Sequence, residues 1–469
     1  MSIEGIDVES TLEKAKLLLK EDKNISPSVQ AIMEVLIVLV SLLVNRLGVN
    51  SRNSHTPPSK DPLNHRSNKS PGRKKKAGGQ KGHIGSTLKK TDTPDTIEDI
   101  KIDRRSLPRG HYRNADYESR QVFDVKVSLH VTEYRAEVVV DRQGRRFVAD
   151  FPVGVTNAVQ YGSEVKAQSV YLSLFQLVPL DRVRDHFDDQ LGLPMSKGSI
   201  SNFNREAFDR LEVFETWAKK KLVVSPVNHG DETSIRVSGK TLWLHNLSNL
   251  QVTWYHPDEK RGQEAIERMG ILPQYTGTVC HDHWKPYYRY EDCTHSLCNA
   301  HHLRELTRAQ EQEGQGWAKK MQRLLVKIHR EVERSEGVLS PARDALYRER
   351  YRKILQEGES ECPVADRSGR RGRTKQSKSR NLLERLKEFE EDTLRFMTVK
   401  EVPFTNNQAE RDLRMTKVQQ KISGCFRSME GARIFCRVRA FLSTCRKNNV
   451  SPTEALRHLF QGKLPEFMT

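Results

Sequence analysis

The 469-residue chain has no cysteine before position 280, no secretory signal and no apolar run of bilayer length. Its seven cysteines (280, 293, 298, 362, 425, 436 and 445) are odd in number and irregular in spacing, which excludes a disulfide framework and indicates reduced thiols in the cytoplasm. The longest apolar run, 35–44, is about half of the roughly 20 residues that cross a bilayer. We therefore expect no membrane location.

Positive charge is abundant. Lysine and arginine number 79 against 61 acids, for a formal net charge of +18. Such a surface attracts polyanions, and nucleic acid is the first candidate, although ribosomal, membrane-surface and heparin-binding proteins are equally basic. A hydrophobic content of 36% suffices for buried cores, and the length predicts roughly three domains or more.

The first 92 residues divide into a helical segment, 1–50, and a basic flexible linker, 51–92. Ser26 and Pro27 begin a predicted helix over 27–47 that is apolar nearly all round, so self-association through a coiled coil and burial against the rest of the chain both remain open. The linker cations suited to phosphate contact are Arg73, Lys74, Lys75, Lys76 and Lys81. A solvated spacer is the alternative.

Two small domains are predicted next. Alternating apolar residues at 125–131 and a β-rich run at 136–140 predict a small β module over 93–157. Helical patterns at 163–178, 180–190 and 199–213, with a Gly-Leu-Pro breaker at 192–194, predict a helical domain over 158–222. This domain suits either a DNA-reading helix-turn-helix or an ordinary bundle.

From residue 223 the pattern changes to a three-strand meander, a helix and a fourth strand that ends at Asp282. This order predicts an α+β fold with an RNase H-like mixed sheet, in which Asp231 on the first strand lies beside Asp282. Adjacent carboxylates need a cation between them, and hard oxygen ligands suit Mg²⁺ or Mn²⁺. A third acid on a helix would complete a two-metal site.

The spacing alone leaves the third acid open. Glu410 is a candidate, but Asn407 three residues earlier makes a helix capping box in which the glutamate only caps the backbone. The other acids available are Glu232, Asp292, Glu305 and Asp412.

Five stretches closely resemble the IS66 family of bacterial insertion-sequence transposases. They are 53–61, 78–83, 229–233, 298–304 and 406–427, the last of which contains Asn-Asn-Gln-Ala-Glu-Arg. The resemblance implies a DDE-type transposase that cleaves transposon ends and transfers strands into target DNA. It assigns the catalytic and metal-binding acids to Asp231, Asp282 and Glu410, with two Mg²⁺ or Mn²⁺ ions.

The chain departs from the family pattern in two places. Thr405 stands where the family often has aspartate, which removes an accessory acid but none of the trio. The family's β module is commonly a zinc ribbon, yet residues 92–125 contain no cysteine, so we expect that module to rest on apolar packing. Zinc is also not expected at the cluster His281, His283, Cys293, Cys298, His301 and His302, which lacks a paired-ligand spacing.

The catalytic core is predicted to be interrupted. Its first part covers 223–312, a helical insertion 313–400 with a basic loop at 367–380, the Glu-bearing helices 401–446, and a C-terminal helix 447–469. The predicted DNA-contacting residues here are His301, Arg304, Arg411, Arg414, Lys417 and Lys421. For His301 and Arg304, orienting the active site and a buried structural role are alternatives, and the helix cations also suit a solvated face.

The expected partners are double-stranded DNA, a second copy of the chain and accessory proteins of the same element, in the bacterial cytoplasm on the nucleoid. Two other functions stay open. One is a non-catalytic DNA-binding protein, and the other is a metal-dependent nuclease without strand transfer. The three acids at matched positions argue against the first.

Overall fold

The structure, a computed structural model, describes residues 2–3, 6–21, 25–47, 49–54, 88–113, 117–364 and 376–468. It begins with strands β1 (Ser2–Ile3) and β2 (Ile6–Asp7) and helices α1 (Val8–Glu21) and α2 (Pro27–Leu47). Ser26 caps α2 as predicted, since its Oγ accepts a hydrogen bond from the backbone N–H of Val29 at 3.4 Å. Helix α2 packs on α1, and most of its apolar side chains remain exposed.

The apolar character of α2 exceeds what the ten-residue run suggested. Residues 27–44 contain a single charged side chain, Glu34, and have a mean hydropathy of 2.2 with 11% of the segment buried. By length and composition alone, this segment is long and apolar enough to cross a membrane. A membrane location does not follow from that, because core helices and signal sequences share these properties.

Between 88 and 160 the described residues form one hairpin, β3 (Val138–Val140) and β4 (Arg146–Val148). The Asp141 carboxylate closes its turn by accepting from the backbone N–H groups of Gln143 and Arg145. The predicted strand at 125–131 does not form there, and Val125 and Val131 are 80% and 79% exposed. The apolar packing expected for this module is therefore absent from its described residues.

The helical domain contains α3 (Ser163–Val170), which continues as a π-helix (Tyr171–Phe175), then α4 (Leu180–Leu191), α5 (Lys197–Arg210) and α6 (Glu212–Val223). Three predicted helices are present: the first as α3 with its π-helical continuation, the second as α4 and the third as α5. Gly192, with φ of 59°, ends α4, and the Ser196 hydroxyl caps α5 at 2.9 Å. Groove reading by α5 remains a prediction.

The centre of the molecule is a mixed five-strand sheet in the order β7-β6-β5-β8-β9. Its elements are β5 (Val227–Val237), β6 (Lys240–Ser248), β7 (Thr253–Asp258), α7 (Gln263–Met269), β8 (Thr278–His281) and β9 (Thr294–Leu297). Strand β6 is antiparallel to both neighbours, whereas β8 runs parallel to β5 and to β9. The predicted meander, helix and fourth strand are therefore present.

Eight helices follow in the described residues after the sheet. They are α8 (Asn299–Glu313), α9 (Gly316–Arg334), α10 (Pro341–Glu361), α11 (Lys378–Glu388), α12 (Glu390–Leu394), α13 (Asn407–Ser423), α14 (Met429–Lys447) and α15 (Pro452–Phe460). Helices α8 to α12 share one apolar core. A second core joins the sheet to the helical domain, α14 and α15.

Two predictions about these helices have clear outcomes. The apolar stripe of α14 is buried and packs on β7, as expected for a helix that covers the sheet. The last three residues of the basic loop predicted at 367–380 are helical, since α11 begins at Lys378. Residues 365–375 lie outside the described residues, but Arg380 belongs to α11, where its buried guanidinium pairs with Glu359 and Glu384.

Candidate active site

Two acids meet because β5 and β8 are parallel neighbours. His229 pairs with Cys280 in the strand register, so Asp231 and Asp282, each two residues further, reach the same edge. Asp282 directly follows β8, and its Oδ1 accepts from the Trp284 backbone N–H at 3.1 Å. The chain turns sharply between Asp282 and Trp284, with φ of 74° at His283. The structure thus brings together the first two predicted acids.

Glu410 approaches from the first turn of α13. That helix begins at Asn407, and the residue preceding it, Asn406, makes no side-chain cap. The capping box that competed for Glu410 is therefore absent. Instead, Glu410 Oε1 lies 3.7 Å from His301 Nε2 and 4.0 Å from Arg304 Nη1. Both side chains, for which DNA contact was one prediction, are directed at this carboxylate.

Asn406 joins α13 to the strand that carries Asp231. Its Nδ2 donates to the Gly230 carbonyl at 2.7 Å, and its Oδ1 lies 2.8 Å from His229 Nδ1. The side chain is 1% exposed, so these bonds are shielded from water. The paired asparagines belong to the family motif, but no local pattern indicates that the first of them bridges two elements.

Charge is concentrated at this edge of the sheet. The pKa of Asp231 is raised well above its usual range by burial and by the nearby charges of Glu232, Asp282 and, to a lesser extent, Glu410. Burial and the charge of Asp282 raise the pKa of Glu232 to about 7, although Arg261 opposes this shift. The pKa of Asp231 is therefore raised by three neighbouring carboxylates in addition to burial.

This donor set fits a divalent cation. Carboxylate oxygens are the ligands that Mg²⁺ and Mn²⁺ prefer, and a cation would relieve the repulsion that raises the pKa of Asp231. Glu410 Oε1 is a buried oxygen that accepts no hydrogen bond from any residue in the described part of the chain. An oxygen in this state is available to a metal ion.

Comparison with known protein families identifies the family of the chain. Residues 158–434, more than half of the chain, match the Transposase IS66 family. The chain belongs to this family. Residues 9–89 also match a family of unknown function, DUF6444. No curated protein matches the chain.

The other acids weighed for the third position of the candidate site in this IS66-family chain have different surroundings. Glu305 pairs with Arg385 of the insertion. Asp412 pairs with Lys447 of α14 at 2.9 Å, on the side of α13 that faces β7. Asp292 is exposed in the loop before β9. Only Glu232, among the four alternatives, lies with Asp231 and Asp282.

Glu232 is held by residues that the sequence did not single out. Its side chain is 2% exposed, and Oε1 accepts from Arg261 Nη2 at 2.7 Å. The guanidinium carbon of Arg261 lies 4.7 Å from the ring centroids of both Trp243 and Trp284. A charged glutamate in this buried position is thus matched by an arginine stacked between two indoles.

Gly230 must be glycine because Tyr287 packs directly over β5. A Cβ atom at position 230 would lie 2.9 Å from Tyr287 Cε1 and 3.0 Å from its hydroxyl oxygen. The hydroxyl lies 3.4 Å from Glu232 Oε2. The tyrosine ring therefore closes the site beside Asp231 and Glu232 of β5.

Apart from His301 and Arg304, the predicted DNA-contacting cations separate into three groups. Arg411, Arg414 and Lys421 are exposed on α13. Lys417 departs from this stripe, since its ammonium donates to the Ser234 carbonyl of β5 at 2.6 Å and anchors the helix to the sheet. The linker cations Arg73, Lys74, Lys75, Lys76 and Lys81 lie outside the described residues.

Most members of the cysteine and histidine cluster form no common ligand set in the described residues. His281 lies 3.1 Å from His295, Cys293 donates to the Tyr290 carbonyl, and His302 lies 3.3 Å from Asn299. Two members behave differently. Cys298 and His301, together with Glu410, are a set of three whose ligand atoms all lie within 4.8 Å of one another. The seven cysteines are all free thiols, as expected.

The raised pKa of Glu232 makes metal-free stability depend on pH. Its pKa moves from 4.5 unfolded to about 7 folded, so its stabilising contribution is full below 4.5 and is lost as pH rises through 7. Replacing Glu232 with glutamine should therefore stabilise the metal-free protein at about pH 8 by on the order of 2–3 kcal/mol.

Thermal melts of wild type and Glu232→Gln in EDTA test this. The difference in Tm should grow as pH rises from the unfolded to the folded pKa and then level off. Added Mg²⁺ should raise the wild-type Tm more at alkaline than at acidic pH, because cations bind the ionised carboxylates. A Tm difference independent of pH would contradict the electrostatic account.

Proposed function

We propose that this protein is a DNA transposase that cleaves the ends of its element and joins the freed 3′-hydroxyls to target DNA. The observation that carries the proposal is the placement of Asp231 and Asp282 at the same end of two parallel strands, with Glu410 of α13 near enough for its charge to raise the pKa of Asp231. Membership of the Transposase IS66 family supports it. The strand order, with three antiparallel strands and two parallel ones, supports an RNase H-like core.

Asp231, Asp282 and Glu410 would hold two Mg²⁺ or Mn²⁺ ions, since all three offer hard oxygen ligands. When bound, these ions would activate the attacking water or 3′-hydroxyl and stabilise the leaving oxygen. Asn406 holds the start of α13 against β5, which keeps Glu410 near the strand acids. His301 Nε2 and Arg304 Nη1 lie 3.7 Å and 4.0 Å from Glu410 Oε1 and would orient this carboxylate through their charge.

The chain's positive charge would bind DNA phosphates. Arg411, Arg414 and Lys421 are exposed on the helix that carries Glu410, so a backbone held by them would lie next to the acids. Such contacts position DNA without reading its sequence. We expect the protein to act in the bacterial cytoplasm on the nucleoid, as a homo-oligomer with accessory proteins of the element.

Salt dependence of DNA binding distinguishes phosphate contacts from structural cations. Arg411→Gln, Arg414→Gln and Lys421→Gln should each reduce the slope of log binding constant against log salt by about 1. Lys417→Gln is the matched control on the same helix. It should leave the slope unchanged and lower the Tm, because its ammonium binds Ser234. If a variant that carries all three replacements kept the wild-type slope, α13 would not contact DNA phosphates.

A labelled duplex that carries the element's end separates the three candidate functions. A transposase cleaves it in Mg²⁺ and joins the freed strand to target DNA. Cleavage without joining identifies a metal-dependent nuclease. Binding with neither reaction identifies a non-catalytic DNA-binding protein.

A further inference from the structure

Cys298, His301 and Glu410 form a compact group beside the acid trio. The Cys298 sulfur, a His301 ring nitrogen and a Glu410 oxygen all lie within 4.8 Å of one another, and the nitrogen-to-oxygen distance is 3.7 Å. Ligands of one tetrahedral ion bond at about 2.0–2.3 Å and therefore stand roughly 3.3–3.8 Å apart. Small side-chain movements would bring all three atoms onto a single ion.

The fold holds these ligands in place. Cys298 follows β9 directly and precedes α8, and His301 lies in the first turn of that helix. The sulfur already accepts a hydrogen bond from the Asn406 backbone N–H at 3.1 Å. Burial raises the pKa of the Cys298 thiol to about 11, and hydrogen bonds from the backbone N–H groups of Asn406 and His301 oppose this shift; a bound metal ion would supply the remaining stabilisation of the thiolate. Glu410 arrives on the first turn of α13.

The chemistry of this set differs from that of the trio. Thiolate and imidazole ligands select borderline or soft ions such as Zn²⁺, whereas Mg²⁺ is bound by oxygen. Glu410 belongs to both sets. An ion bound by Cys298 and His301 would draw the Glu410 carboxylate away from Asp231 and Asp282.

We propose that Cys298, His301 and Glu410 bind one thiophilic divalent cation of the Zn²⁺ class. Binding releases the Cys298 thiol proton to solvent. Occupation of this site also removes Glu410 from the acid trio and inhibits Mg²⁺-dependent DNA cleavage. This second statement rests on the proposed function, whereas the first does not.

Cobalt(II) is a spectroscopic probe of the site that needs no DNA. One equivalent of Co²⁺ added to the reduced full-length protein should produce a sulfur-to-metal charge-transfer band in the near ultraviolet, and Zn²⁺ should displace it. Cys298→Ser should lose the band, and His301→Gln should weaken Co²⁺ binding by about 100-fold or more. Cys425→Ser, at an exposed cysteine outside the group, is the matched control and should keep it.

Circular dichroism and Tm establish that each variant is folded, and His301→Gln keeps the test decisive if Cys298→Ser does not fold. Absence of the band in wild type, or its persistence in folded Cys298→Ser, would overturn the site. Because the band needs no cleavage activity, this result is independent of the proposed function.

Inhibition is measured as the Zn²⁺ concentration that halves each protein's own cleavage rate in excess Mg²⁺. This concentration should be at least about tenfold higher for Cys298→Ser than for wild type and Cys425→Ser. Equal inhibition of all three would overturn the competition for Glu410 while leaving the spectroscopic site intact. A wild type with the Co²⁺ band but no cleavage under any condition would instead contradict the proposed function.

Discussion

Glu410→Gln should reduce the rate of end cleavage in Mg²⁺ by about 10³-fold or more. Glutamine keeps the size of the side chain but replaces an anionic oxygen with a neutral one. A metal contributes several kcal/mol of charge stabilisation, and each 1.4 kcal/mol or so corresponds to a factor of ten in rate. The fold should be little affected, because Glu410 Oε1 accepts no hydrogen bond from the described residues. Single-turnover cleavage of a labelled transposon end measures the effect.

Asp412→Asn is the matched control two residues later on the same helix. Asp412 pairs with Lys447 and accepts from Gln408 at 3.0 Å, so its role is to hold α13 against α14. Breaking this pair should lower the free energy of unfolding by on the order of 3 kcal/mol. Below its Tm the variant should still cleave. If Glu410→Gln were fully active and folded Asp412→Asn were inactive, Asp412 and not Glu410 would be the catalytic acid of α13.

Asn406→Ala should damage both stability and activity. The change leaves the His229 ring and the Gly230 carbonyl without their buried partner, and each such loss costs about 1–3 kcal/mol. The free energy of unfolding should therefore fall by about 2–5 kcal/mol. Since the start of α13 would no longer be tied to β5, cleavage by the folded variant should fall by about 10²-fold.

Asn407→Ala provides the comparison. Asn407 is exposed at the first position of α13, and its replacement should change stability by less than about 0.5 kcal/mol. Chemical denaturation gives the stability of both variants, and cleavage is measured where both are fully folded. If Asn406→Ala lost stability but cleaved at the wild-type rate, Asn406 would be structural and would not position Glu410.

The strand acids could be placed from the sequence because local patterns were enough. The meander, the helix and the fourth strand each have short-range signals, and their order puts Asp231 beside Asp282. Glu410 could not be placed in this way. It is separated from Asp282 by 127 residues, which include an insertion, and its local pattern equally fits a helix cap. Only the family motif favoured it before the contacts with His301 and Arg304 were known.

Tertiary contacts explain the other differences. Lys417 has the spacing of a surface stripe, but β5 lies close enough for the Ser234 carbonyl to accept a hydrogen bond from the lysine ammonium. Cys298 and His301 are three residues apart, and their link to Glu410 depends on how α8 and α13 meet. The exposed valines at 125–131 show the reverse case, since alternation without a partner sheet yields no strand in those described residues.

In the proposed function, three acids at one edge of the sheet carry metal-dependent cleavage of DNA. The most direct measurement compares wild type with Asp231→Asn on a labelled transposon end in Mg²⁺, after circular dichroism has established that both are folded. We predict that wild type cleaves and joins the end, and that Asp231→Asn does neither while retaining DNA binding. Full cleavage by Asp231→Asn in Mg²⁺ would contradict the account.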